Sequence, residues 1–224
     1  MTATIRTVLR GHSQTSTEGS IGFCAVYLVT TPDARILFDT GHVGRRRALL
    51  HALHALKLTT ADIDVVVLSH AHWDHIQNAD LFSLARLLVH ENEPAYAESP
   101  GPGDHATPSW TGFLLGHLGI RTIGDGEPVA PGVHTMHLPG HTAGSLGLLV
   151  ETPDGRHVLT GDAVSSAAAL RRGQCSAVHH DAGQARASVA RVAALADVIW
   201  PGHDRPFAVR DNKPADYLAI GGTP

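Results

Sequence analysis

The chain has 224 residues, 43% of them hydrophobic, and a formal net charge of −4. That length and mix predict one globular domain, 1–224, whose core needs no disulfide framework, and the two cysteines make none. The lack of a long basic run argues against a nucleic-acid surface, and no run of about 18 apolar residues exists to span a membrane. No apolar leader opens the sequence, so the expected location is cytoplasmic.

Residues 4–11 (TIRTVLRG), 22–31 (GFCAVYLVTT) and 34–41 (ARILFDTG) are apolar and β-branched and predict strands, the last ending in a turn. Residues 43–58 set Ala48, Leu49, Ala52, Leu53 and Leu56 at helical spacing, with Arg45, Arg46 and Arg47 expected on a solvated helix face. Residues 62–70 (DIDVVVLSH) hold a short continuous apolar run, the mark of a strand buried on both faces. A strand over 85–91, a helix over 92–98 and a Pro/Gly-rich loop over 99–112 follow. Later strands are expected over 132–141, over 145–163 with a hairpin turn at Pro153–Gly155, and over 197–203. A helix over 181–196 has Asp181 as its candidate N-cap. Strands thus come in two batches, each followed by helix, which predicts an α/β fold of two sheets packed face to face with helices on both outer sides.

The composition holds one anomaly, 17 histidines, and their placement carries the argument. Predicted strands end at or near Asp39, His70, His141, Asp162 and His203. Strand ends in layered folds meet at one rim, where sites are assembled on rigid elements. Histidine and carboxylate donors without cysteine suit Zn²⁺, and also Fe or Mn. His70 and His72 lie two apart, as on one side of an extended segment. Asp74 and His75 follow Trp73, where a helix is expected to begin. Side chains from that turn do not all reach one ion together with His70 and His72, and two neighbouring ions use them all.

The motifs HAHWDH (70–75), DTG (39–41), PGHTAGS (139–145), GDA (161–163) and PGHD (201–204) resemble those of the metallo-β-lactamase-fold superfamily, with lactonase-like members the best match in size and motif. The resemblance implies a four-layer αββα sandwich of two mixed β-sheets with a dinuclear site of divalent ions, Zn²⁺ first, at one edge. It implies that His70, His72 and His141 hold one ion, that Asp74, His75 and His203 hold the other, and that Asp162 bridges them. Asp39 is implied to orient a ligand histidine, and Trp73 to pack between the two sets. The implied activity is metal-dependent hydrolysis of a small-molecule ester, lactone or thioester, with a hydroxide held by both ions attacking the carbonyl. Asp74 would hold that hydroxide or pass a proton to the leaving group.

The sequence departs from the family pattern in places. Ser165 stands where lactonase-like members often carry a tyrosine, and is expected to serve as a hydrogen-bond donor of shorter reach. IQNADLF replaces the glycines common after the signature, with Asn78 expected to close the turn. Some 20 residues follow His203, too few for the helical extension of glyoxalase II. Two other readings stay open: a mononuclear iron dioxygenase of the persulfide type, and a non-enzymatic metal-binding or sensing protein. Cys175 is expected to be an unreactive thiol, and His179 and His180 to lie on the surface. Trp110 and His105 are evenly balanced between surface and pocket wall. The sequence fixes no oligomeric state.

Overall fold

A computed structural model describes residues 3–219. The chain opens with β1 (Thr4–Leu9), a hairpin of β2 (His12–Ser16) and β3 (Gly19–Phe23), then β4 (Val26–Thr30) and β5 (Arg35–Phe38). Next come α1 (Arg46–Ala55), β6 (Val65–Val67), the single turn α2 (Trp73–Ile76), β7 (Arg86–His90), α3 (Glu93–Glu98), α4 (Thr111–His117) and β8 (Arg121–Ile123). The second half runs β9 (Pro128–Ala130), β10 (Val133–His137), β11 (Leu146–Thr152), β12 (Gly155–Gly161), α5 (Ala167–Arg172), α6 (Ala182–Leu195), β13 (Val198–Pro201), β14 (Phe207–Arg210) and β15 (Lys213–Tyr217).

Two mixed sheets form, in the orders β1-β4-β5-β6-β7-β8 and β15-β14-β13-β12-β11-β10-β9. Strand alternation builds the layers. Tyr27, Val29, Ile36, Phe38, Val65 and Val67 meet Leu146, Leu148, Val150, Leu159 and Trp200 in the core between the sheets. The intervening residues Val26, Leu28, Leu37 and Val66 face outward onto Leu49 and Leu53 of α1 and Leu115 of α4. On the far side Met136, Val158 and Ile199 pack on Leu170 of α5 and on Val189 and Val192 of α6. Both faces of both sheets are therefore covered, which is why the central strands read as unbroken apolar runs. The expected αββα sandwich is the observed architecture.

Strand direction places the site. β5 runs parallel to β6, and β12 parallel to β13. Their carboxyl ends lead into Asp39, His70, Asp162 and His203, as strand ends in open α/β sheets commonly do. β10 shares the sense of β12 through antiparallel β11 and leads to His141.

The differences from the sequence reading are local. The expected strand 22–31 is two strands: Phe23 closes the hairpin, and after Cys24 the Ala25 N–H bonds the Gly202 carbonyl at 2.6 Å before β4 begins. β2 is polar and exposed throughout, so no apolar alternation announced its hairpin with β3. α1 begins only at Arg46, because His42 caps a 3-10 turn over Val43–Arg45. The three arginines are not one solvated face. Arg45 donates to the Cys24 carbonyl, and Arg46 bonds Asn78 and Asp80.

One contact ties the two sheets near the rim. The rings of His90, ending β7, and His137, ending β10, stack with centroids 3.6 Å apart. Burial, and then the neighbouring His137, pushes the His90 pKa down from 6.5 to about 4. The folded ring stays neutral where the unfolded chain takes up a proton. Stability is therefore full above pH 6.5 and falls as the pH drops toward 4. His90→Gln, compared with the parent by denaturant unfolding of chelated samples at about pH 7 and 5, should lose less stability on acidification. Equal losses would remove His90 as a source of acid sensitivity.

Candidate metal centre

The HAHWDH segment leaves β6 in extended form, and His72 lies just ahead of the first turn of α2. The expected turn into a helix at Trp73 is observed. Asp39 adopts a left-handed backbone, φ 62°, uncommon for a residue other than glycine. Its carboxylate accepts from the Ser69 N–H at 2.7 Å and the Ser69 hydroxyl at 2.9 Å. Two glycines make room at this rim, Gly202 for the Asp162 carboxylate and Gly161 for the Ser69 side chain. A Cβ on Gly202 would sit 2.2 Å from Asp162 Oδ1, and one on Gly161 2.6 Å from Ser69 Cβ.

His70, His72, His141 and Asp162 form one group whose candidate ligand atoms all lie within 4.8 Å of one another. His141 Nε2 stands 3.2 Å from His70 Nε2 and 3.1 Å from His72 Nδ1. The opposite edges of the rings decide what those nitrogens carry. His141 Nδ1 faces the Ala177 carbonyl at 2.7 Å, so it must hold the proton. Ser69 gives its one hydrogen to Asp39, so its oxygen accepts from His70 Nδ1 at 2.9 Å. The inner nitrogens of both rings are thus lone pairs. Burial, and then the neighbouring histidines, hold both pKa values down, His141 to about 3 and His70 well below its ordinary range. Lone pairs at such separations repel unless a cation lies among them, and the set of nitrogens and a carboxylate oxygen suits zinc-like ions.

Asp74, His75 and His203 form a second group. His75 Nδ1 donates to Asp39 at 2.8 Å, and His203 Nδ1 faces the His12 carbonyl at 3.3 Å. Both Nε2 atoms therefore point inward. His75 Nε2 and Asp74 Oδ2 are buried and make no hydrogen bond among the described residues, while Asp162 Oδ1 is in ion-pair contact with His203 Nε2 at 3.2 Å. Buried orphan polar atoms are costly and call for a partner. Burial alone would lower His75 and His203. The charges of Cys24, Asp39, Asp74 and Asp162, in that order, hold His75 well above the ordinary histidine range, and Asp162 and then Asp74 hold His203 above it. Burial would likewise raise Asp162, yet the charges of His203 and His75 hold its carboxyl below the usual range. The second group thus concentrates negative potential that protons or a cation must balance. Asp162 faces both groups, with Oδ2 3.7 Å from His141 Nε2 and Oδ1 3.2 Å from His203 Nε2.

All seven expected ligand residues meet at this rim, and Asp39 lies behind His75 as expected. Asn78 closes the turn, its amide donating to the Thr40 and His42 carbonyls. Trp73 does not pack between the groups. It is half-buried and lies beside His42, ring centroids 5.2 Å apart. Ser165 is buried, but its hydroxyl pairs with that of Ser176 at 2.6 Å, while its carbonyl accepts the His203 N–H. Cys175 donates to the Ala177 carbonyl, and burial pushes its thiol up to about 11. Trp110 and His105 are exposed, as is His180, whereas His179 is half-buried with its ring 5.2 Å from that of His72.

Sequence reasoning missed two supporting carboxylates. Glu93 is fully buried and accepts from the Ala71 N–H at 2.6 Å and from the Thr142 hydroxyl and Gly144 N–H at 2.9 Å. One carboxylate thereby joins the loop of His70 and His72 to the loop of His141. Asp104, from the Pro/Gly loop, lies 3.2 Å from His72 Nε2, and the Tyr96 hydroxyl donates to it at 2.7 Å. An acidic residue opening a helix and another in a glycine-rich loop carry no local signal of such reach.

A sandwich of two mixed sheets with a histidine and aspartate cluster at one edge defines a class. Residues 19–203 match the family model of the metallo-beta-lactamase superfamily, and the chain belongs to that superfamily. It is 30% identical over 179 residues to metallo-beta-lactamase domain-containing protein 1 of Xenopus laevis, covering 78% of this chain and 68% of that protein. The human protein of the same name is 34% identical over 178 residues, 59% of its length. N-acyl homoserine lactonase AiiB of Agrobacterium fabrum is 31% identical over 157 residues, covering 56% of this chain and 57% of that protein. The chain thus spans less than two thirds of the latter two. Among solved structures, AiiA of B. thuringiensis with N-decanoyl-L-homoserine at its active site superposes with a TM-score of 0.72 at 20% identity, covering 91% of this chain and 93% of that one.

Removing Glu93 strands two buried N–H donors, those of Ala71 and Gly144, each costing about 1–3 kcal/mol when left unpaired, while the Thr142 hydroxyl keeps Ser145 as a partner. Glu93→Ala should lower the unfolding free energy by about 3 kcal/mol in denaturant titrations. A change within about 0.5 kcal/mol, as at an ordinary surface site, would show that the two loops hold together without it.

Proposed function

We propose that this protein is a metal-dependent hydrolase that opens a carbonyl ester bond in a small molecule, with lactones and thioesters the leading classes. The observation that carries the reading is the pair of donor groups that Asp162 faces, the first with inward nitrogens 3.1–3.2 Å apart and the second with His75 Nε2 and Asp74 Oδ2 buried without another partner. Family membership and the lactonase relatives support hydrolysis. The absence of cysteine from the two donor groups supports a set of oxygen and nitrogen ligands for two divalent ions, Zn²⁺ first.

His70, His72 and His141 would hold one ion, Asp74, His75 and His203 the other, and Asp162 both. When bound, such a pair supplies a nucleophilic hydroxide near neutral pH and polarises the substrate carbonyl. The chain's own groups do the rest. Asp39 fixes the His75 ring through Nδ1 and so aims Nε2. Asp74 Oδ2, free of hydrogen bonds, is placed to take a proton at that oxygen and return it to the leaving alkoxide or thiolate. The Ser165 hydroxyl, already paired with Ser176, contributes at most a weak donor, and its carbonyl seats His203 through the backbone. The complete second group, Asp74, His75 and His203, favours this reading over a single-iron oxygenase.

Two experiments test the proposal. Lactone, thioester and aryl-ester panels with zinc-loaded protein should reveal at least one substrate turned over far faster than in a chelated sample. No hydrolysis across all three classes would overturn the substrate reading. Asp162→Ala should abolish hydrolysis and weaken both ions together, whereas His203→Ala should weaken one. Tight retention of both ions by Asp162→Ala would show that this carboxylate is not shared. Affinity should also fall as the pH drops, because protons held on His75 and His203 compete with the cation.

A further inference from the structure

Four of the five histidines in the two groups face inward through Nε2, and one does not. His70 and His141 approach each other through Nε2, and His75 and His203 turn Nε2 toward Asp74 and Asp162. His72 alone faces His141 through Nδ1. It must therefore carry its proton on the opposite nitrogen from the others. A His72 ring protonated on Nδ1 would present an N–H to the centre and could not serve as a ligand there.

The surroundings of His72 Nε2 make that choice. Asp104 lies 3.2 Å away and is buried, 7% exposed. Every other group on its carboxylate is a donor. The Tyr96 hydroxyl at 2.7 Å and the Thr107 hydroxyl at 2.8 Å reach Oδ2, and the Ala106 and Thr107 N–H groups at 2.9 and 3.2 Å reach Oδ1. A carboxylate held by that many donors is ionised and can only accept. Its contact with His72 is satisfied only if Nε2 bears the hydrogen.

We propose that Asp104, held by Tyr96 and Thr107, is a positioning residue that sets the His72 ring in its Nε2–H form and so turns the Nδ1 lone pair into the first donor group. The loop 99–112 thereby serves the centre from behind a ligand rather than by walling a pocket. The proposal rests on the metal-centre reading above for its consequence, but the tautomer itself exists without a metal.

The test uses the full chain, chelated and zinc-titrated. Long-range ¹H–¹⁵N correlation spectra of chelated protein should show His72 protonated on Nε2. Asp104→Asn can offer its amide N–H to the same nitrogen, so the variant should shift His72 toward the Nδ1–H form. In zinc titrations it should weaken the ion held by His70, His72 and His141 by about 10–100-fold and leave the other ion within a few-fold. Asp104→Glu should recover part of the tautomer and of the affinity. Tyr96→Phe loosens the carboxylate without offering a donor, and should keep the tautomer.

His72 protonated on Nδ1 in the chelated parent would overturn the proposal even if no variant folds. So would an Asp104→Asn variant with unchanged tautomer and affinity. If the parent binds no zinc yet His72 is Nε2–H and responds to Asp104→Asn, the positioning role stands and the metal-centre reading fails.

Discussion

Two imidazole lone pairs and one further ring nitrogen sit 3.1–3.2 Å apart at the rim of the sandwich, and much of the structure exists to keep them there. Each ring has its outer nitrogen tied to a fixed partner: Ser69 for His70, Asp104 for His72 and the Ala177 carbonyl for His141. Such an arrangement is repulsive by itself. It persists because the rings are carried on elements that two packed cores over-determine, and because Glu93 bolts their loops together.

The same constraint explains the order of the fold around the site. Parallel pairing of β5 with β6 and of β12 with β13 delivers Asp39, His70, Asp162 and His203 to one edge. Glycine at 161 and 202 lets two strand ends approach closely enough for Asp162 to address both donor groups. The second group answers a different electrostatic need. There Cys24, Asp39, Asp74 and Asp162 around His75, and Asp162 and Asp74 beside His203, hold the pKa values of the two rings up. The first group offers lone pairs for a cation to share, and the second offers carboxylates for a cation to balance.

Much of this was legible in the sequence, for a physical reason. Ligands that leave strand ends in short motifs keep their spacing, so H-x-H-x-D-H, G-H-T, G-D-A and P-G-H-D announce the centre. Continuous apolar runs such as Val65–Val67 announce strands covered on both faces. What stayed hidden reaches across the chain. Asp104 acts on a ring 32 positions away, from a loop whose composition says only that it turns. Glu93 acts on Gly144, 51 positions on. Ser165 was located by its motif, but the direction of its hydroxyl is set by Ser176, 11 residues later. β2 was missed because its residues are polar and exposed on both faces.

The central claim is that two cations complete this rim, one among His70, His72 and His141 and one among Asp74, His75 and His203. Anomalous diffraction from zinc-soaked crystals, collected on both sides of the metal absorption edge, addresses it directly. The account predicts two peaks flanking the Asp162 carboxylate, each against its own three side chains. A single peak at full occupancy, or peaks away from these residues, would contradict it.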